Sequence, residues 1–586
     1  MYQMKRFFPV LLLLFIFSAC DFSNYILETD YDFDTVFEKS EGKETATYPE
    51  VIEYYSNLAA VYSNVSIQEM GITDSGEPLH LAIFSPNGNF DLEELRQDHS
   101  ILLINNGIHP GESDGIDATM MLFRDLAQDS ITVPKNTVIA TIPVYNIGGA
   151  LNRNSTTRTN QNGPKSYGFR GNAQNYDLNR DFIKADTRNT LAFYEIFHTV
   201  KPDVFIDNHV SNGADYQYTL THLFTQHNKL GGDLGKYLHT EMMPGLRKAL
   251  ERKEWDITPY VNVFNEVPEK GFTQFLDLPR YSTGYTSLWN TLGMMVETHM
   301  LKPYDKRVLG TYELMRSMID ITDEDTKLIK RMRAQANRNS RKITNFEFNF
   351  IPDSTKPSTL QFKGYEGREI RSEITGFQRL EYDTTQPFTK EVTYYNNFKP
   401  TQQVKIPKGY IIPQGWWNVI DLLEANQVKM QVYEKDTVLQ AESYRIAEYQ
   451  TRNSPYEGHY LHYDTRVEKS TTEIKIREGD IFVPTDQPAI RYLLETLEPE
   501  APDSFFNWNF FDSILQQKEG FSPYVFEDIA EELLEDYPEI EEEFIQKKQN
   551  DSEFAASWYA QLEWLHKQSD HYEKAHLRYP IFRVAR

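Results

Sequence analysis

The first half of this chain predicts an α/β domain built on a largely parallel sheet, followed by a β-rich domain and a helical C-terminal region. Two patterns carry that prediction. Short apolar runs that read as strands alternate with stretches of helical spacing, as parallel strands joined by crossover helices require. From residue 345 the pattern changes: Val, Ile, Thr and Tyr alternate with charged residues between Gly and Pro turns. Residues 485–586 then return to helical spacing with acidic faces.

Residues 1–19 carry Lys5 and Arg6, an apolar run over 7–17 and the small residues Ser18-Ala19 before Cys20. That pattern is an export signal whose apolar core is too short for a comfortable membrane span. It resembles a bacterial lipoprotein signal, which implies cleavage before Cys20 and lipidation there; Phe17 stands where such signals usually have Leu. The mature chain is therefore expected at the cell envelope, lipid-anchored in the outer membrane or periplasm, with secretion as the alternative. Residues 20–45 are acidic, polar and aperiodic, which suits a spacer.

The body, residues 46–341, opens with helical spacing over 49–62 and an alternating strand over 79–84. An apolar strand, Ile101-Leu102-Leu103-Ile104, leads into the loop His109-Pro110-Gly111-Glu112-Ser113-Asp114-Gly115. Residues 114–128 follow as a helix with Ile116, Met120, Phe123 and Leu126 on one face, and 137–145 is another strand. Residues 148–175 are rich in Asn, Gly, Arg, Ser and Thr, too long and polar for a mere connector. They end at Asp177-Leu178-Asn179-Arg180-Asp181-Phe182. A helix over 188–200 precedes the strand 204–207, with His209 just past its end. A long helical stretch, 230–253, precedes a loop holding Arg280, Tyr281 and Tyr285, and the apolar strand 292–296 ends at Glu297. A helix rich in Lys and Arg, 312–341, closes the domain ahead of the β-rich residues 345–484 and the acidic helical residues 485–586.

Composition narrows the class. The chain has 586 residues, 40% of them hydrophobic, enough for substantial cores. A formal charge of -26 argues against a nucleic-acid partner, which needs clustered Lys and Arg to displace counterions. One cysteine excludes an intramolecular disulfide and a thiolate-rich zinc site.

His109, Glu112, His209 and Glu297 each fall at or just past the C-terminal end of an expected strand, where open α/β sheets bind their ligands. A hydrolytic zinc site needs three imidazole or carboxylate ligands and an open position. His109 and Glu112 offer two from one loop, and His209 the third. Glu297 is then the candidate base for the attacking water. Arg158 or Arg170, from the polar loop, can face an oxyanion. Arg180 can fork onto a substrate carboxylate beside Asn179, although pairing with Asp177 or Asp181 would use it equally well. His198, His222, His227, His239 and His299 have no ligand spacing tied to this set and read as structural. Trp416-Trp417 and Phe505-Phe506-Asn507-Trp508 read as packing aromatics.

Together, His109-x-x-Glu112, Asn179-Arg180, His209 and Glu297 resemble the M14 family of zinc carboxypeptidases in order and in intervals, over residues 48–302. The resemblance implies a mixed, twisted sheet of about eight strands flanked by helices, one zinc ion held by His109, Glu112 and His209, and Glu297 as general base. It implies that Asn179 and Arg180 hold the terminal carboxylate of a peptide or protein substrate, and that Asp177 orients His109. Arg158 matches the oxyanion arginine, with Arg170 as the alternative, and Tyr281 matches the substrate-covering tyrosine better than Tyr285 by spacing. Asn146-Ile147-Gly148-Gly149 departs from the Asn-Pro-Asp-Gly of many members, and the tyrosine loop lies closer to Glu297 than expected. Other expectations keep the zinc but change the substrate, to cell-wall peptides or N-acyl amino acids, or make the chain a non-catalytic peptide-binding envelope protein.

Overall fold

Aliphatic and β-branched runs become central strands when both their faces are covered, so the apolar runs of the first half fix the middle of the sheet. The computed structural model describes residues 31–586. The expected export signal and Cys20 lie outside the described residues. The strands of the first half are β1 (Val65–Ile72), β2 (Pro78–Phe84), β3 (Ser100–Asn105), β4 (Thr137–Ile142), β5 (Val204–Ser211), β6 (Leu220–Phe224), β7 (Ile257–Pro259), β8 (Phe272–Thr273) and β9 (Leu292–His299). Every residue of β3, β4 and β5 is buried.

Eight of these strands form one sheet in the order β1-β2-β4-β3-β5-β9-β6-β7. β3 pairs in parallel with β4 and β5, β5 with β9, and β6 with β7. β1–β2, β2–β4 and β6–β9 pair antiparallel, so the sheet is mixed with a parallel centre. Helices Asp114–Ala127 and Tyr304–Glu324 pack on each other and over β3 and β5, and Arg188–Val200 lies along β1 and β2. The short helix Ser282–Ser287 packs on β5 and β9. The strands run further than the apolar runs suggested: β5 reaches Ser211 and β9 reaches His299, which places His209 and Glu297 inside them. In that register His209 and Glu297 are direct partners on neighbouring strands.

Ordered structure begins earlier than residue 46. Thr35 caps helix Val36–Lys39 in a reciprocal arrangement with Glu38, and Glu38 also takes Arg124 at 2.7 Å. Phe37 is buried against the Tyr304 ring. The later part of the expected spacer is thus docked on the body by a capping box and one apolar anchor.

Beyond the first half, β10 (Asn345–Pro352) pairs with β13 (Phe398–Lys405), while β11 (Ser358–Arg371) and β12 (Gln378–Tyr395) form a long hairpin that joins β8. β14 (Gly409–Ile412), β15 (Gln431–Val432), β16 (Thr437–Thr451), β17 (His462–Ile476), β18 (Ile481–Pro484) and β19 (Phe582–Val584) make a six-stranded sheet. The chain end returns to this sheet as β19, and helix Ile490–Leu497 is buried with Tyr492 stacked on Trp289. One continuous core runs from Phe37 through the first half to Tyr579 and Ile581, so residue 484 does not separate two independent cores. Helices Pro523–Asp536 and Trp558–Gln568 close a smaller apolar cluster around Phe526 and Leu562. Among the described residues, no helix is long and apolar enough to cross a membrane.

Candidate active site

The loop after β3 delivers two side chains to one point because its two glycines let neighbouring elements close in. A Cβ on Gly111 would meet Arg158 Cδ at 2.5 Å, and one on Gly115 would collide with Asn208. His109 Nδ1 lies 3.2 Å and His209 Nδ1 3.1 Å from Glu112 Oε2. All three residues are buried, and one ligand atom from each falls within 4.8 Å of the others. Val210 N also donates to Glu112 Oε2 at 3.0 Å, which fixes the carboxylate on the β5 backbone.

The far nitrogen of each imidazole is anchored on a carboxylate. His109 Nε2 meets Asp177 Oδ1 at 2.9 Å, and His209 Nε2 meets Asp207 Oδ2 at 2.9 Å. Each anchor, once it takes the Nε2 proton, leaves the Nδ1 lone pair facing the cluster. This donor set suits a divalent metal ion: two oriented imidazoles and one carboxylate, with no thiolate. Burial alone would raise Glu112, but His109 and Arg158 hold its carboxyl well below the usual range. For Asp177, too, burial is outweighed, here by His109 and Arg170, and the carboxyl stays well below its ordinary range.

Asp207 is a residue that the sequence reading left without a role. It sits two positions before His209, so strand alternation places both side chains on one face of β5. Its Oδ1 accepts from Asn105 Nδ2 at 3.1 Å, and its Oδ2 takes the Ser282 hydroxyl as well as His209. The Asp-x-His spacing within a strand was the available signal. Asp207→Asn is expected to weaken metal binding about 10–100-fold with the fold intact, measured by competition with a chromophoric chelator. An unchanged affinity would remove the orienting role.

The long polar loop folds back over this cluster. Arg158 Nη1 donates to Glu112 Oε1 at 3.0 Å, and Arg158 Nε to Gln161 Oε1 at 2.5 Å. Gln161 Nε2 donates to Gly111 O at 2.8 Å, tying the loop to the ligand turn. Arg170 reaches the same place from the far end of the loop, giving Nε and Nη2 to Asp177 Oδ2 at 3.0 and 2.8 Å. Asn146, in the segment that departs from the family pattern, caps the short helix Ile147–Leu151 and donates to Arg170 O at 2.9 Å. That segment therefore pins the loop.

A cavity of about 580 Å³ is lined by His109, Glu112, Arg158, Arg170, Asn179, Arg180, His209, Tyr281 and Glu297. Among the described residues the Glu297 carboxylate has no hydrogen-bond partner, although its backbone carbonyl accepts from Thr221 Oγ1. Burial pushes it up to about 7; His209 works against that shift and Glu112 adds to it. Asn179 Oδ1 accepts from Ser282 N at 3.2 Å, and the Arg180 guanidinium lies 4.6 Å from the centre of the Tyr281 ring. Tyr285 is not at the cavity: it is fully buried, with its hydroxyl on Asn426 Oδ1 at 2.6 Å. His299 stacks on Tyr216 and meets Asp215 at 2.9 Å, away from the cluster. The rest of the lining mixes apolar Val210, Leu223, Phe264, Phe275, Met295 and Met300 with polar Thr157, Thr159, Asn160, Ser211, Asn212, Tyr260 and Asn262. Among the described residues the lining holds no carboxylate besides Glu112 and Glu297.

No family model matches the chain. Among known proteins the chain is similar to Carboxypeptidase 2 of Trichophyton rubrum, 23% identical over 432 residues, covering 69% of this chain and 72% of that protein. It is similar to Carboxypeptidase 2 of Trichophyton tonsurans at 24% over 433 residues, with the same two shares. Among solved structures it is similar to a metallo-carboxypeptidase from Burkholderia cenocepacia with a TM-score of 0.36 and 16% identity, covering 48% of this chain and 70% of that one.

Proposed function

We propose that the chain is a zinc-dependent metallopeptidase of carboxypeptidase type that releases C-terminal residues from peptides, with one zinc ion at His109, Glu112 and His209. The observation that carries this reading is the pairing, across β5 and β9, of a candidate metal ligand with an unpartnered carboxylate, His209 with Glu297, in one cavity with Arg180. The likeness to the two fungal carboxypeptidases supports it. When bound, zinc supplies a Lewis acid that acidifies water and polarises a carbonyl.

The chain's own groups then divide the remaining work. Glu297 accepts the proton of the attacking water and returns it to the leaving amine. Arg158 steadies the oxyanion: its Nη2 has no protein partner among the described residues, whereas the one Arg170 nitrogen not given to Asp177, Nη1, lies 3.4 Å from His109 Nδ1. Asn179 and Arg180 hold the terminal carboxylate, and Tyr281 covers it from the face on which its ring meets Arg180.

Peptide mixtures with free and amidated C-termini, followed by mass spectrometry, test this assignment. The expected result is loss of single residues from free C-termini, with amidated peptides spared. Turnover of muropeptides or N-acyl amino acids alone would move the assignment to a zinc amidase. Peptide capture without cleavage by zinc-loaded protein would make it a binding protein.

A further inference from the structure

The segment that presents Asn179 and Arg180 is too short to hold itself. It is a single turn, Leu178–Arg180, capped by Asp177. The Asp177 carboxylate is fully engaged by His109, Arg170 and the Asn179 N–H, and its own backbone N–H is satisfied from far away in sequence: it donates to Glu457 Oε2 at 2.8 Å. Glu457 lies in the turn joining β16 and β17. Tyr456 and His459 exchange backbone hydrogen bonds at 2.7 and 3.1 Å to close that turn, with Glu457 at φ 49° and Gly458 at φ 81°. A Cβ at Gly458 would come within 2.8 Å of the Tyr176 hydroxyl, so only glycine lets the turn approach this closely. From the same turn, His459 Nε2 meets Asp186 Oδ2 at 2.8 Å, beyond the other end of the segment.

The tyrosine side of the pair is tied to the same module. Asp503, buried, accepts from Arg280 N and Nε, both at 2.8 Å. The Arg280 guanidinium also lies 5.0 Å from the centre of the buried Trp508 ring. The next residue is Tyr281, whose ring meets Arg180. The backbone on each side of the Arg180–Tyr281 contact is thus fixed by the C-terminal half of the chain.

We propose that Glu457 and Asp503 are positioning residues for the subsite that binds the substrate's terminal carboxylate, so that the C-terminal module completes that subsite. This rests on the carboxypeptidase reading for the identity of the ligand. The test uses zinc-loaded full-length protein carrying Glu457→Ala, Glu457→Gln or Asp503→Asn, with zinc content and thermal midpoint checked. Binding of N-acetyl-L-phenylalanine is compared with that of its amide by calorimetry, and KM and kcat are measured on a peptide with a free C-terminus. Glu457→Ala is expected to weaken binding of the acid and to raise KM, each about fivefold, with kcat held within about twofold and amide binding unchanged. Glu457→Gln, which keeps the one acceptor oxygen used, is expected to restore native values; Asp503→Asn, which replaces one of two engaged acceptor oxygens with a donor facing Arg280, is expected to behave like Glu457→Ala. Equal weakening of acid and amide, or folded Glu457→Ala protein with native acid affinity, would overturn the proposal. If the native protein fails to release C-terminal residues yet binds the acid over the amide in a Glu457-dependent way, the carboxypeptidase reading falls and the positioning role stands. Native protein with no preference for the acid over the amide overturns the positioning role itself.

Discussion

Glu297→Gln is expected to keep its fold and its metal while turnover falls about 10²–10⁴-fold, the range that a positioned base contributes. Glutamine fills the same space beside His209 on the neighbouring strand but cannot accept the proton of the attacking water. The sign of the pH dependence follows from the same group. Burial raises its carboxyl to about 7, and a bound divalent cation would pull it down. Because the base acts deprotonated, kcat/KM is expected to rise with pH along an acid limb lying below about 7, and Glu297→Gln removes that limb. Steady-state rates across pH, with zinc content measured on the same samples, check both statements. A metal-replete Glu297→Gln protein with near-native rates would end the assignment of the base.

His209→Ala is expected to lose more than the about 10–100-fold in metal affinity that an orienting carboxylate accounts for, and activity with it. It removes one of the three converging ligands and leaves Asp207 and Glu112 buried with one partner fewer. A lower thermal midpoint is expected as well, since a buried carboxylate without its partner is costly. Elemental analysis after dialysis gives the direct reading, and stoichiometric zinc in His209→Ala would show that the cluster is not the metal site.

Much of the site was legible because strand periodicity and strand ends are local properties. His109 and Glu112 lie three residues apart in one loop, and His209 and Glu297 each follow an apolar run, so position alone suggested a shared edge of the sheet. Asp207 was legible in principle, two residues from His209 on one strand face, but it closed an apolar run and offered no pattern of its own. Between Tyr281 and Tyr285 only the spacing implied by the family resemblance favoured Tyr281. They lie four positions apart, and in the structure Tyr281 lines the cavity while Tyr285 is buried with its hydroxyl on Asn426. The docking of Phe37 and the capping box at Thr35 went unread because their partners, Tyr304 and Arg124, are remote.

The sequence by itself settled the α/β character of the first half, the candidate ligands and base, and the class of metal donor, since these follow from periodicity, residue type and the near-absence of cysteine. Tertiary structure settled which groups stand behind them. The Asp177 backbone N–H donates to Glu457, 280 residues away, and Arg280 donates to the Asp503 carboxylate, 223 residues away. Contacts over such separations leave no periodic trace in a single chain. They exist because the C-terminal half shares one apolar core with the first half, and that packing brings their backbones together.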